Sequence, residues 1–235
     1  MTRPLMIFAA GLGTRMGALT ADRPKPLIPV AGRALIDHAL DLARGARAAP
    51  VVVNLHWKAA MLRHHLAGAG VRFSDESDRL LETGGGLRAA LPLLGPEAAC
   101  GPLWTLNSDA VWTGPNPLLM LDSAWREGME ALLLLVPRGG AVGYRGAGDF
   151  AMDAEGRLSR GGPFVFTGAQ MLRSEGLAAI PDPVFSLNRL WDRMEARGRL
   201  FGVLHPGGWA DVGRPEGIAL AEALLAGALP QDAAP

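Results

Sequence analysis

The chain has 235 residues, 49% of them apolar and 20% charged, which is material for a packed core and excludes global disorder. Acidic and basic residues balance at 23 each, so bulk charge gives no sign of a nucleic-acid or membrane partner. A single cysteine, Cys100, excludes an internal disulfide and is expected as a buried or neutral thiol.

The first apolar run, 5–10, reads as a buried strand. It stops at Gly11, too early for the hydrophobic region of a signal peptide. No window approaches the ~18 consecutive apolar residues that span a bilayer. The expectation is a soluble, cytoplasmic protein of a reducing compartment. Residues 34–46 carry Leu35, Ile36, Ala39, Leu40 and Ala43 at helical spacing, and 50–55 is a β-branched strand. Residues 58–68 form a helix closed by glycine, and 71–76 a short strand. A helix is expected to start after the glycines at 84–86, followed by a strand within 101–110 that ends in polar residues. Next come a helix at 118–129 and the most apolar strand of the chain at 130–137. Residues 137–148, rich in Gly, Arg and Ala, read as a mobile loop. From 148 to 172 short antiparallel strands surround a "DAEG" turn. A helix at 188–198, a late strand within 199–213 and a closing helix with Pro215 in its first turn complete the order. The Ala/Pro tail after Leu229 is expected to fray.

Strands that are apolar throughout are covered on both faces. Alternating with helices, they imply right-handed βαβ units. The expected fold class is α/β: a Rossmann-like three-layer α/β/α arrangement with a mostly parallel central sheet and a small antiparallel part. Ligands of such sheets sit outside the carboxyl ends of the strands.

The glycines Gly11, Gly13 and Gly17 miss the dinucleotide spacing by one residue, and "GTRM" lacks the lysine of a P-loop. The turn still suits phosphate. Gly11 and Gly13 permit positive φ and close approach of the backbone, whose N–H groups make an anion nest. Thr14 adds a hydroxyl and Arg15 a guanidinium fork. Lys25 is held between Pro24 and Pro26, and it and Lys58 are the sole lysines in a chain that otherwise uses arginine. Such a residue is a positioned cation. Three consecutive glycines at 84–86 let the chain pass against a flat ligand. Asp109, after a strand and an Asn-Ser pair, offers a hard oxygen ligand suited to Mg²⁺.

Together, "AAGLGTRMGALTADRPKPLIPVAGRALIDHAL" at 9–40, "LLETGGGLRAALPLLG", "WTLNSDAVW" and "GGWADVGRPEG" resemble the signatures of sugar-1-phosphate nucleotidylyltransferases. Ala34 stands where that family usually has proline, and Ser108 where it usually has glycine, which bears on the placement of Asp109. The "ETGGG" form followed by "ALPLLG" is most similar to the N-acetylmuramate-1-phosphate uridylyltransferase branch, whose role lies in peptidoglycan recycling for the cell wall. The resemblance implies a single domain, 1–235, with 1–112 mainly binding nucleotide and 113–235 mainly binding the sugar phosphate and supplying the closing helix. It implies Lys25 and Arg15 as catalytic residues. Nucleotide contacts fall to Ala10, Gly11, Leu12, Gly13, Thr14, Glu82, Thr83, Gly84 and Gly85. Asn107, Asp149 and Gly168 contact the sugar phosphate, and Asp109 and Asp211 hold Mg²⁺. The partners implied are an NTP, UTP foremost, and a sugar-1-phosphate, with the chain a monomer or small homo-oligomer.

Other readings are a hexose-1-phosphate guanylyl- or thymidylyltransferase, a molybdenum-cofactor nucleotidyltransferase, a non-catalytic nucleotide-sugar sensor, and a Rossmann oxidoreductase. His56, His64 and His65 lack zinc-site spacing and are expected to face solvent or cap structure. Trp57, Trp104, Trp112, Trp125 and Trp191 are expected in the core or pocket wall.

Overall fold

The computed structural model describes residues 2–229, so the tail expected to fray lies outside the described residues. Its centre is a nine-stranded sheet. From one edge the order is Leu158–Arg160, Phe150–Met152, Phe164–Leu172, Leu103–Asn107, Leu5–Phe8, Val51–Leu55 and Arg72–Asp75. The long strand Phe164–Leu172 also pairs with Ala131–Pro137, which carries Leu200–Leu204 in parallel on its far side. Leu5–Phe8 runs parallel to both neighbours, and Val51–Leu55 to Arg72–Asp75. Phe164–Leu172 is antiparallel to its partners, and the hairpin around the "DAEG" turn extends that side.

The uninterrupted apolar strands follow from covering both faces. Leu132, Leu134 and Val136 enter one cluster, with the helix Leu35–Gly45, while Ala131, Leu133 and Leu135 enter the other, with the helices Glu82–Leu94 and Asn188–Ala196. Leu5 and Ile7 divide from Met6 in the same way. Each such Leu, Ile, Val or Met side chain contributes about 1.5–3 kcal/mol by leaving water, so a polar residue on either face costs stability. A second, three-stranded sheet joins Ala110–Trp112, Trp209–Asp211 and Ala141–Val142, and the closing helix Glu216–Leu225 packs beneath it. Among the described residues, no helix is long and apolar enough to cross a membrane.

Several expectations are corrected. The helix Glu82–Leu94 starts before the glycines and contains them. Gly84 and Gly85 donate their N–H groups to the Phe185 carbonyl at 2.8 and 3.0 Å, an approach a side chain would block. The segment 137–148 is not wholly irregular: it holds a turn at Arg138–Gly140 and the strand Ala141–Val142, and Arg138 Nε donates to Gly146 O at 2.7 Å. Two strands, Leu200–Leu204 and Trp209–Asp211, stand where one was expected. Cys100 is exposed, because the short helix Glu97–Cys100 turns Ala98 inward instead. Trp57 is exposed too, its indole N–H donated to Thr20 O at 3.1 Å.

A Cβ at residue 85 would lie 2.4 Å from the Pro183 carbonyl oxygen, which is backbone and cannot rotate away. Gly85→Ala therefore lowers stability by about 1–3 kcal/mol, measured by thermal or urea unfolding.

Candidate active site

The strand Leu5–Phe8 delivers the chain to the glycine turn at its carboxyl end. Gly13 takes the left-handed conformation, φ 65°, and a Cβ there would meet Thr20 Cγ2 at 2.9 Å and Lys25 Cβ at 3.0 Å. Gly13 is thus the glycine the turn requires. Gly11, expected to share that freedom, has no positive φ and open space around its Cα. The amides of Gly11, Leu12, Gly13 and Thr14 donate to no protein acceptor among the described residues, which leaves them free for an anion. Ala10 differs: its N–H, at 3.2 Å, and that of Ala9, at 2.7 Å, both donate to Asn54 Oδ1.

Lys25 opens the short 3₁₀ turn Lys25–Leu27, its extended proline neighbour Pro24 acting as the cap. The residue is only 7% exposed. Its Nζ donates to Asp109 Oδ2 at 2.8 Å. Asp109 follows the strand Leu103–Asn107 through Ser108, which is buried and donates its hydroxyl to Phe8 O at 2.7 Å. The serine that departs from the family pattern thus ties the Asp109 turn to the central strand. Asp211 comes from the opposite end of the chain. Antiparallel pairing sets it beside Ala110, and Val212 N donates to Asp109 O at 2.9 Å. Burial, and then the Asp109 carboxylate, push the Asp211 carboxyl up to about 6, against the opposing pull of Lys25, Arg15 and the Gly213 N–H. A carboxylate that is costly to ionise beside a second carboxylate is a site made for a cation.

Three cavities meet here, and Asn107 lines all of them. The first, about 340 Å³, is bounded by Ala10, Gly11, Lys25, Glu82, Thr83 and Asp109. The second, about 280 Å³, has a floor of Phe150, Phe166 and Trp191 packed edge to face, with the Arg160 guanidinium over two of the rings. The third, about 510 Å³, holds Arg15, Asp109, Gly168 and Asp211. Leu12, Gly13 and Thr14 line none of these and sit on the turn between Gly11 and Arg15.

Some nucleotide and sugar contacts are therefore placed differently from expectation. Gly84 and Gly85 face Phe185 and Pro183 and do not line the first cavity. Their role is to seat the helix so that Glu82 and Thr83 do. Glu82 adopts φ 60°, a conformation rare outside glycine, at the cavity edge. Asp149 reaches the second cavity, but its oxygens accept from Tyr144 Oη and Phe166 N, each at 2.8 Å. It fastens the loop 144–149 to the sheet. Gly168, φ 89°, leaves room for the Asn107 side chain, which a Cβ would meet at 2.8 Å.

Asn54 and Glu76 were not among the expected site residues. Both are 3% exposed. Asn54 Nδ2 donates to Glu76 Oε1 at 2.7 Å, and Glu76 Oε2 accepts from Leu81 N at 2.9 Å. This chain of bonds fixes the start of the glycine turn relative to Glu82. The signal was legible: an asparagine inside "VVVNL" is a polar residue in a buried strand and must be satisfied. Asn54→Ala strands two backbone donors and a buried carboxylate oxygen. It is expected to destabilise the fold by about 2 kcal/mol or more, read by urea unfolding.

A strand, a free-amide turn, a buried lysine on an aspartate and a second aspartate beside it define a site for handling phosphate. Comparison with known proteins agrees. The family model described as the MobA-like NTP transferase domain matches residues 5–201, and the chain belongs to that family; it is a nucleotidyltransferase. It is 40% identical to the N-acetylmuramate alpha-1-phosphate uridylyltransferase of Caulobacter vibrioides, over 94% of this chain and 96% of the relative. It is 32% identical to the protein of that name from Neisseria meningitidis serogroup B, over 88% of this chain and 92% of the relative. The fold is that of nucleotide-sugar transferases. HddC from Yersinia pseudotuberculosis, solved in complex with GMP-PN, superimposes with a TM-score of 0.72 at 17% identity, covering 94% of this chain and 98% of that one.

Proposed function

We propose that the protein transfers the uridylyl group of UTP to N-acetylmuramate α-1-phosphate, giving the UDP-sugar and pyrophosphate. The observation that carries the reading is the Lys25–Asp109 contact at 2.8 Å, set between the glycine turn and Asp211. The choice of sugar and base rests on the two curated relatives, which match nearly end to end.

In this reading the uracil and ribose lie in the first cavity against Glu82 and Thr83. The amides of Gly11 to Thr14 and the Arg15 guanidinium hold the β- and γ-phosphates. Lys25 faces the α-phosphate. A phosphate oxygen of the sugar-1-phosphate attacks the α-phosphorus, and the bond from that phosphorus to the bridging oxygen of pyrophosphate breaks in line. The incoming oxygen is already anionic near neutral pH, so no general base is required. Catalysis is positioning plus neutralisation of charge in a water-poor cleft.

Asp109 and Asp211 fit a magnesium ion. Two carboxylates crowd one another, and among the described residues no group of three or more His, Cys, Asp or Glu side chains makes an all-protein cage. Magnesium is usually held by one or two carboxylates with substrate phosphates completing its shell. Bound there, it would supply neutralisation of phosphate charge. The test is a panel of UTP, GTP, dTTP and ATP against N-acetylmuramate, N-acetylglucosamine, glucose and mannose 1-phosphates, read by pyrophosphate release. Transfer from UTP to N-acetylmuramate α-1-phosphate at the highest kcat/KM is expected. A guanylyl or thymidylyl preference on a hexose would replace the reading, and nucleotide binding without release from any pair would make the chain a sensor.

A further inference from the structure

The third cavity has more positive charge than the reaction uses. Besides Arg15 it is lined by Arg145 and Arg214. Both are exposed. Arg145 reaches Glu216 only at 3.9 Å, between side chains that are 66% and 63% exposed, a pair of little strength. Among the described residues Arg214 takes part in no ion pair.

Their placement is built. Ala141–Val142 runs parallel to Trp209–Ala210, so the segments leading to Arg145 and Arg214 leave the small sheet at the same end. Between them Gly143, φ 79°, lies so close that a Cβ would sit 2.5 Å from the Asp211 carbonyl oxygen. Tyr144, its hydroxyl donated to Asp149 at 2.8 Å, holds the loop just before Arg145. Arg214 follows Asp211 by three residues and precedes the helix Glu216–Leu225. Arg145 and Arg214 thus line the same cavity as Asp211, from the two segments that leave this end of the sheet. They also lie away from Lys25, in the cavity lined by Gly168 and Asn107, the expected sugar contacts. Asp109 lines both the first and third cavities, whereas Lys25 and Gly11 line only the first, and Arg145 and Arg214 only the third of this pair.

We infer that Arg145 and Arg214 form a subsite for a carboxylate carried by the acceptor sugar, separate from its phosphate. The inference rests on the uridylyltransferase reading and says how that site would select its sugar. A guanidinium matches a carboxylate with two parallel hydrogen bonds, so it distinguishes an acidic sugar from a neutral one of otherwise identical shape. N-acetylmuramate differs from N-acetylglucosamine by a lactyl ether bearing one such carboxylate.

The test compares kcat/KM with UTP for N-acetylmuramate α-1-phosphate and N-acetylglucosamine α-1-phosphate, in the wild type and in Arg145→Gln and Arg214→Gln. Loss of one charge-assisted pair is expected to cut the preference for the acidic sugar about 10- to 100-fold, through KM for the sugar, with partial rescue by Arg214→Lys. KM for UTP and inhibition by pyrophosphate should hold constant. An undiminished preference in both variants overturns the inference. So does a parallel loss on both sugars with weakened pyrophosphate inhibition, which would assign the arginines to phosphate. Calorimetric binding of the two sugar phosphates separates this failure from that of the parent reading. Absence of uridylyl transfer to any sugar phosphate ends the parent reading, whereas equal binding of the acidic and neutral compounds ends the subsite alone.

Discussion

Lys25→Ala is expected to lower kcat by on the order of 10²-fold or more, the scale of losing one preorganised charge at a developing phosphate. The side chain is buried, flanked by Pro24 and Pro26, and fixed on Asp109 at 2.8 Å. Little ordering remains to be done at the moment of reaction, which is what makes a charge effective. Lys25→Arg should not restore the rate. The guanidinium is bulkier and planar, and it cannot place one point charge where the Lys25 Nζ meets Asp109 at 2.8 Å. The loss should fall on kcat more than on KM for UTP, since the free amides of the glycine turn and Arg15 still bind the triphosphate. Lys25 is also one of the groups that draw the Asp211 carboxyl downward. The acidic limb of the pH–rate profile should therefore move to higher pH in the residual activity of Lys25→Ala. Pyrophosphate release in steady state, measured across pH at saturating magnesium, checks both points. Turnover near that of the wild type would remove Lys25 from the chemistry.

Asp211→Asn is expected to separate stability from function. In the folded chain the Asp211 carboxyl titrates near 6, against 3.8 in an unperturbed chain, chiefly because it is buried and secondarily because Asp109 is near. For an acid whose pKa is raised by folding, the native state binds the proton more tightly than the unfolded state. Its contribution to stability is therefore full below pH ~4 and is lost as pH rises through about 6. Above that, ionised Asp211 weighs against the folded state by an amount of order 2–3 kcal/mol. Asparagine removes that charge. In chelator at pH 8 the variant should melt several degrees above the wild type, and at pH 4 the difference should vanish. Activity should move the other way, falling by 10²-fold or more, and magnesium should raise the melting temperature of the wild type more than that of the variant. Scanning calorimetry at the two pH values, with and without magnesium, reads the first effect, and initial rates read the second. A variant less stable than the wild type at pH 8 would show that the burial cost is offset by contacts of Asp211 with its own backbone.

Much of this was legible in the amino-acid order. Lys25 stood out because two prolines hold it in a chain that otherwise uses arginine; Gly11 and Gly13 both read as turn glycines, and only Gly13 of the two takes φ above zero. The strands were legible because both sheet faces are covered, so each strand is apolar on every side, as 131–136 is. What the order did not show has a common cause. Gly84 and Gly85 looked like ligand glycines, yet they are small because a carbonyl of another segment approaches them. Asp149 read as a substrate contact; it lines the second cavity, and its oxygens also accept from Tyr144 and Phe166. A sequence shows that a residue is small or charged, not which atom meets it.

The sequence by itself determined the alternation of strand and helix, the glycine turn after the first strand, and one lysine and two aspartates as candidates, because these depend on local conformation and on side-chain chemistry. Only the tertiary structure decided that Asp109 and Asp211, about a hundred residues apart, meet at one end of a small sheet, that Lys25 closes on the first of them, and that Asn54 and Glu76 anchor the turn. Those are pairings across long loops. They are fixed by which buried donors find which acceptors when both faces of the sheet are covered, a condition met only by the folded whole.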